Sequence, residues 1–462
     1  MENTAREKTS PKLAVCYAFG EVGCQMSWYM INSYLTLFYT DVVGLTATAI
    51  SAIMLIARVW DAINDPMMGN LADHTNTRWG RFRPYLMFAP IVLAIFNILT
   101  FTVLPVTGLL KVVLCLLFYI GTGMAYTVCS IAYQALQNVI AIDSQVRMNL
   151  ATARGIGSSV IGIILSACVM PMILAIGNSD VATAKGYLGT TIILSVLMIP
   201  CFWITAAGCK ETYTDVLHAD KPAEKASFLK NLKELVANDQ LLMVVLTTVG
   251  GTICVSGRMG ILTYYVIYVV GSYTAIAYIF TVMTVAQLVG NFLVPWGTKT
   301  FGKRNYLIAL QLIMVVGFVL LFINPTSNMI YLMGVSFMCG LCNSSSSICY
   351  GMVADSLEYG DLKLGKRQEG MAASMLSFGV KIATAICGSG GVMLLAAVGY
   401  VAGAEQTAAT KMGINAVVNL APAAIGLIAL IPMFFYKLTP KRVSEIRADL
   451  DAGKHKWDYE EQ

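Results

Sequence analysis

The chain has 462 residues, 57% of them apolar and only 12% charged, with a mean hydropathy of +0.69. Such a composition excludes an ordinary soluble domain and indicates an integral membrane protein. The formal net charge of +5 is carried by short loops, so it reads as membrane topology and not as a nucleic-acid footprint.

Apolar windows of about 20 residues, enough at 1.5 Å per residue to cross a hydrocarbon layer of about 30 Å, recur twelve times along the chain. They cover 13–40, 46–71, 85–105, 111–137, 154–177, 187–207, 241–270, 273–296, 306–323, 329–354, 370–399 and 414–435. Lipid offers the backbone no hydrogen-bond partner, so every span is predicted helical. Met1 to Lys12 is polar and runs straight into span 1, which is expected to act as its own uncleaved insertion signal. Of the 31 basic residues, 25 fall at the two ends and in the loops after even-numbered spans. The opposite loops hold only Lys111, Lys185 and Lys411, which predicts cytoplasmic termini. The polar stretch 210–240 then separates an N-terminal six-helix bundle (1–209) from a C-terminal one (241–436), and a cytoplasmic tail follows (437–462). The predicted fold class is thus an all-α membrane protein of twelve transmembrane helices in two six-helix bundles.

An internal echo supports two related halves. After span 2 the chain carries Gly69, Asp73, Arg78, Gly80 and Arg81, and after span 8 it carries Gly297, Lys299, Gly302, Lys303 and Arg304. Two related halves with a midplane site are a transporter pattern. The twelve cysteines are scattered through apolar spans as small hydrophobes, and the lone CxxC of Cys339 and Cys342 lacks the companions of a metal site. His74, His218 and His455 all lie outside the spans, leaving no intramembrane histidine relay.

Span 2 contains "ARVWDAINDPMMGNLAD", Ala57 to Asp73. On a helix Asp61 and Asp65 share one face, with Asn64 beside them and Arg58 one turn below. A charge at the bilayer centre costs at least about 2.5–3.5 kcal/mol, so these carboxylates must meet a cation or take up protons. Arg58 can neutralise one, leaving the other adjustable for Na+, Li+ or H+. Two carboxylates and an amide are hard oxygen donors suited to a small cation, and Pro66 frees the Ala62 carbonyl nearby. The alternative is a packing role, with Arg58 paired to Asp61 and Asp65 protonated.

These residues carry a family resemblance. "YTDVVGL" (39–45), "RVWDAINDPMMGNLAD", "TRWGRFRPYL" (77–86) and "ADSLEYGDLKLGKR" (354–367) resemble the glycoside-pentoside-hexuronide:cation symporters, which include melibiose permease and have the major facilitator fold. The resemblance implies a cation site at Asp61, Asn64, Asp65 and Thr127, all retained here, with Na+ favoured and H+ or Li+ as alternatives, and no further cofactor. It places Gln25, Tyr126, Ser130, Gln134, Arg154, Ser346 and Lys381 in or near the substrate region. The melibiose-type lysine-aspartate pair of span 1 is replaced here by Cys24 and Gln25, and the span 4 aspartate and tryptophan by Ser130 and Gln134, so melibiose is not the expected substrate.

With those acids gone, Arg154, Arg258 and Lys381 would leave the substrate region positive unless Glu21 pairs with one of them. An anionic glycoside such as a hexuronide is therefore the leading expectation, with a neutral pentoside or disaccharide as the alternative. Trp28, Tyr29, Tyr264 and Tyr265 could stack on a pyranose face. The run Asn343 to Ser347 either permits close packing or lines a cavity. Asp73, Arg78, Arg81, Arg83 and Arg304, with Asp355, Glu358 and Asp361, are the expected cytoplasmic gate. The whole is expected to work as a monomer in a bacterial-type inner membrane, in contact with lipid and a small-molecule glycoside but with no nucleic acid. No constellation for an enzyme is visible. A transport-like sensor without coupling is the competing class.

Overall fold

The computed structural model describes residues 10–75, 77–140, 144–211, 238–364, 369–402 and 404–451, and some side chains within those helices, Asp65 and Asp73 among them, lie outside what is described. The described chain is helical throughout apart from one isolated bridge, Thr77 with Gly80. Its helices are α1 (Pro11–Leu37), α2 (Ala47–His74), α3 (Arg83–Thr100), α4 (Gly108–Ile140), α5 (Ser144–Gly177) and α6 (Ala184–Gly208). After the central loop come α7 (Asp239–Tyr264), α8 (Thr274–Phe301), α9 (Lys303–Ile323), α10 (Met329–Cys342), α11 (Ser345–Leu364), α12 (Glu369–Ala397), α13 (Ala408–Asn415), α14 (Ala421–Phe435) and α15 (Pro440–Asp451).

Ten described segments are long and apolar enough to cross a membrane, the first at Arg83–Thr100 and the last at Ala408–Phe435. Among the described residues α1 falls short of that apolarity, and it carries Glu21 and Gln25. The span predicted over 329–354 is in fact two helices, α10 and α11, broken at Asn343 and Ser344. Ser344 is buried and returns its hydroxyl to the Leu341 carbonyl at 2.8 Å. Gly290 of α8 lies against that exposed carbonyl, where a Cβ would collide. Close packing accounts for this part of the serine run, while Ser346 and Ser347 face outward.

Contacts divide the chain into two units, one running to Pro222 with Tyr273–Thr281 and Ala402–Ala404, the other holding the rest. In the first, α1 packs on α5 and α6, α3 on α4 and α6, and α2 on α4. In the second, α7 is the hub, contacting α11, α12 and α14, while α9 packs on α10 and α14. Side-chain caps set several helix starts: Thr183 accepts from Gly186 N–H, Asn328 from Ile330 and Tyr331 N–H, and Thr407 from Thr410 N–H.

The repeat seen in sequence has a conformational counterpart. Gly80 and Gly302, the glycines of the two basic corners, both adopt positive φ, 111° and 79°. A second pair was not visible in the pattern of charges. The π-helical turns Phe38–Val42 and Tyr265–Val270 extend α1 and α7, and each is followed shortly by a left-handed glycine, Gly44 at φ 71° and Gly271 at φ 83°. Only glycine takes that conformation without strain.

Candidate functional site

The acid-bearing face of α2 meets α4. A Cβ on Gly123 would stand 2.9 Å from Asp61 Oδ1, so the glycine's missing side chain is the space the carboxylate occupies. Thr127 follows one turn along the same face of α4 and is buried. Asn64 is also buried, at 3% exposure, and its Nδ2 has no hydrogen-bond partner among the described residues. A buried, unsatisfied amide costs free energy unless a ligand or ion reorganises it. Half a turn of that amide would present its oxygen instead. Arg58 reaches Asp61 at 3.5 Å, a loose ion pair with both side chains about one-fifth exposed. Asp65 lies on the same helix, with its side chain outside the described set. The structure therefore sets Asp61 against Gly123, with Asn64 buried a turn along α2 and Thr127 buried a turn along α4.

A second polar cluster sits on α1 and α5. Glu21 is buried and receives Arg154 Nε at 2.7 Å. Gln25, one turn above on α1, donates Nε2 to both Glu21 Oε1 and Ser158 Oγ at 3.0 Å. The Arg154 guanidinium also lies over the Tyr133 ring, which stacks on Tyr17. Trp28, on the same face of α1 as Glu21 and Gln25, stacks on Tyr126 with ring centroids 4.8 Å apart. Arg58 then lies over that tryptophan, 5.3 Å from its ring centre. One arginine thus touches both the α2 carboxylate and the aromatic shelf. Ser130 turns its hydroxyl back to the Thr127 carbonyl at 3.3 Å, while Gln134, a turn beyond it, is exposed. Tyr29 packs its ring near Tyr34.

The second unit alters several expectations. Arg258 does not line an open surface: it is 2% exposed, bonds Asn419 Oδ1 through Nε and Nη2 at 3.4 and 3.2 Å, and lies over the Phe318 ring. Asn419 is held in turn by Asn415, and Asn415 by the Phe322 carbonyl. Burial by α7, α9 and the end of the chain's last apolar span makes this arginine a core group. Tyr264 and Tyr265 are likewise buried, the first against Tyr268 and Tyr400, the second bonded to the Leu321 carbonyl. Neither presents a face for stacking. Lys381 is half-buried on α12, and Ser346 is exposed.

The basic corners are tied within their own units. Glu211 accepts the Arg81, Phe82 and Arg83 backbone N–H groups at 2.7–2.8 Å, closing the start of α3. A Cβ on Gly80 would meet that carboxylate, so the glycine admits it. Sequence reading missed Glu211, since only the chain's return after α6 brings it there. Arg83 donates Nε to the Ala206 carbonyl, and Arg78 lies over Trp79. Asp355 is buried against Lys303 at 2.6 Å, and Arg304 donates to the Phe434 carbonyl. Glu358 and Asp361 are half-buried on α11.

This arrangement can now be set beside known proteins. A family model described as MFS/sugar transport protein matches residues 16–440. The chain belongs to the glycoside-pentoside-hexuronide:cation symporter group of the major facilitator superfamily. This family member is 30% identical to the glucuronide carrier protein homolog of Escherichia coli (strain K12), covering 97% of each chain. It is 29% identical to the isoprimeverose transporter of Lactiplantibacillus pentosus, over 93% of this chain and 90% of that one. Among solved structures, the D-xylose-proton symporter superposes with a TM-score of 0.63 at 12% identity, covering 93% and 98% of the two chains. The family and these relatives are membrane transporters, and this symporter-family chain is a multi-pass protein of the bacterial inner membrane.

Proposed function

We propose that the chain is a Na+-coupled symporter that takes up a glycoside by alternating access. The observation that carries the reading is the contact of Arg58 with both Asp61 and the Trp28–Tyr126 shelf, which joins a carboxylate-amide-hydroxyl cluster to a sugar-like surface. Entry of Na+ between Asp61, Asn64, Asp65 and Thr127 would compete with Arg58 for Asp61. The released guanidinium then settles on Trp28 and fixes the shelf on which a pyranose stacks. Coupling of this kind is reciprocal, each ligand tightening the other by the same factor.

For the substrate, the geometry moves the balance. Arg154 is paired in charge with Glu21, while Arg258 is buried in the core against the neutral Asn419, so neither stands as an open, uncompensated base for an anionic substrate. Glu21, Arg154, Gln25 and Ser158 form instead a mixed donor-acceptor row suited to sugar hydroxyls. We therefore infer an uncharged glycoside, in keeping with the relative named for isoprimeverose. A hexuronide is the second reading. It is favoured by the partial exposure of Arg154 and by the relative named for glucuronide.

Uptake into proteoliposomes tests this. An inward Na+ gradient should drive accumulation, and Asp65→Asn should abolish it without loss of protein. Accumulation driven equally by a proton gradient in Na+-free buffer would overturn the choice of ion. Absence of any gradient-driven uptake across a glycoside and glycuronide panel would favour a sensor.

A further inference from the structure

Three membrane segments of the second unit end at one place. Asp239 opens the span of α7, Lys363 closes that of α11, and Phe435 closes the last. Beside them lies a cavity of about 510 Å³ lined by Gln240, Tyr359, Lys437, Lys441, Arg442 and Glu445, with Leu438 and Thr439 completing it. Its walls are braced. Gln240 is buried and accepts the Lys437 backbone N–H at 2.7 Å, fixing the chain where it leaves the membrane. Tyr359 donates to Asp239, which Lys363 also holds at 2.7 Å. The far wall is α15, which packs on α11 and buries Val443 and Ile446 while keeping Lys441, Arg442 and Glu445 outward.

The charge in this cavity is unbalanced. Glu445 is taken by Arg442 at 2.9 Å, and Asp239 by Lys363. Lys437 and Lys441 have no acidic partner among the described residues, so the cavity keeps excess positive charge. Immediately toward the membrane, Ile428, Ile431, Phe434 and Phe435 of α14 are exposed at 53–64% and form an apolar face. A basic, water-level cavity whose lining begins at Lys437, two residues beyond an apolar, hydrocarbon-level face, matches one class of molecule, an amphiphile with a phosphate head and acyl tails.

We propose that this cavity is a binding site for the phosphodiester headgroup of an anionic phospholipid, with the acyl chains lying along the exposed face of α14. The lysines attract the phosphate, Tyr359 offers a polar edge, and α15 serves as a clamp seated at the membrane surface. The site lies within one unit and is independent of the α1–α2–α4 chemistry. Its occupant would hold the tail helix against α11.

Native mass spectrometry of the delipidated full chain, titrated with phosphatidylglycerol or phosphatidylethanolamine, tests the site. Two excess bases at about 1 kcal/mol each predict roughly ten- to thirtyfold tighter binding of the first phosphatidylglycerol than of phosphatidylethanolamine. The triple variant Lys437→Gln, Lys441→Gln, Arg442→Gln should lose that preference, and Lys437→Arg with Lys441→Arg should keep it, which guards against misfolding. Inorganic phosphate at millimolar concentration should not displace the lipid. An unchanged preference in the triple variant, or no preference in the wild type, would place the lipid elsewhere and overturn the proposal. Displacement by inorganic phosphate at the same midpoint would replace it with a free-anion site.

Discussion

Gly123 shows how a single missing methyl group can make room for a carboxylate. Its Cα faces Asp61 so closely that an added Cβ would come within 2.9 Å of the carboxylate oxygen. Gly123→Ala should gain helix propensity on α4 yet push Asp61 out of place. The expected outcome is a well-expressed protein whose Na+ concentration for half-maximal uptake rises roughly tenfold, as a loss of about 1.4 kcal/mol requires. Titration of uptake against Na+ measures it. Arg258 illustrates the opposite situation, a charge that sequence places in the membrane but cannot orient. Because Asn419 is its acceptor in the core, Asn419→Leu should cost about 2–3 kcal/mol of stability. Arg258→Gln should depress transport of charged and uncharged glycosides alike. A loss confined to glycuronides would return Arg258 to the substrate.

At the scale of elements, the proposed coupling rests on α1 and α2. Trp28 is placed between Arg58 and Tyr126, so Trp28→Ala should leave Na+ binding intact while uncoupling it from sugar affinity. Trp28→Phe, which keeps a ring for both contacts, should restore most of the effect. Sugar affinity measured with and without Na+ separates this from simple damage, which would weaken both ligands. The start of α3 depends on a distant carboxylate, since Glu211 accepts the N–H groups of Arg81, of the N-cap Phe82 and of the first helical residue Arg83. Glu211→Ala should lower stability by about 1–2 kcal/mol, the range of a lost helix cap, read as a lower thermal midpoint. These elements also show what a sequence discloses. The two acids of α2 stand out in the sequence because a charge in lipid has few uses, and the two basic glycine corners because their composition repeats. Glu211 was not legible, for it lies about 130 residues from its partners and is brought there only by packing. The break between α10 and α11 was hidden because serine is compatible with either a helix interior or its end.

Over the whole molecule, hydropathy sufficed to find the apolar helices, since lipid leaves the backbone little choice. It could not tell which intramembrane bases stay open. Arg154 and Arg258 look equivalent in sequence; in the fold one is answered by Glu21 on α1 and the other by Asn419 near the chain's end. Pairing in one case and burial in the other decide whether a base is open, and neither is written in composition.

The central claim is that cation and glycoside sites are energetically one device. Calorimetric titration of the purified protein measures it most directly: glycoside with and without saturating Na+, then Na+ with and without saturating glycoside. The account predicts that each ligand tightens the other by the same factor, within about 5- to 150-fold. Affinities that stay unchanged when the other ligand is present would contradict it.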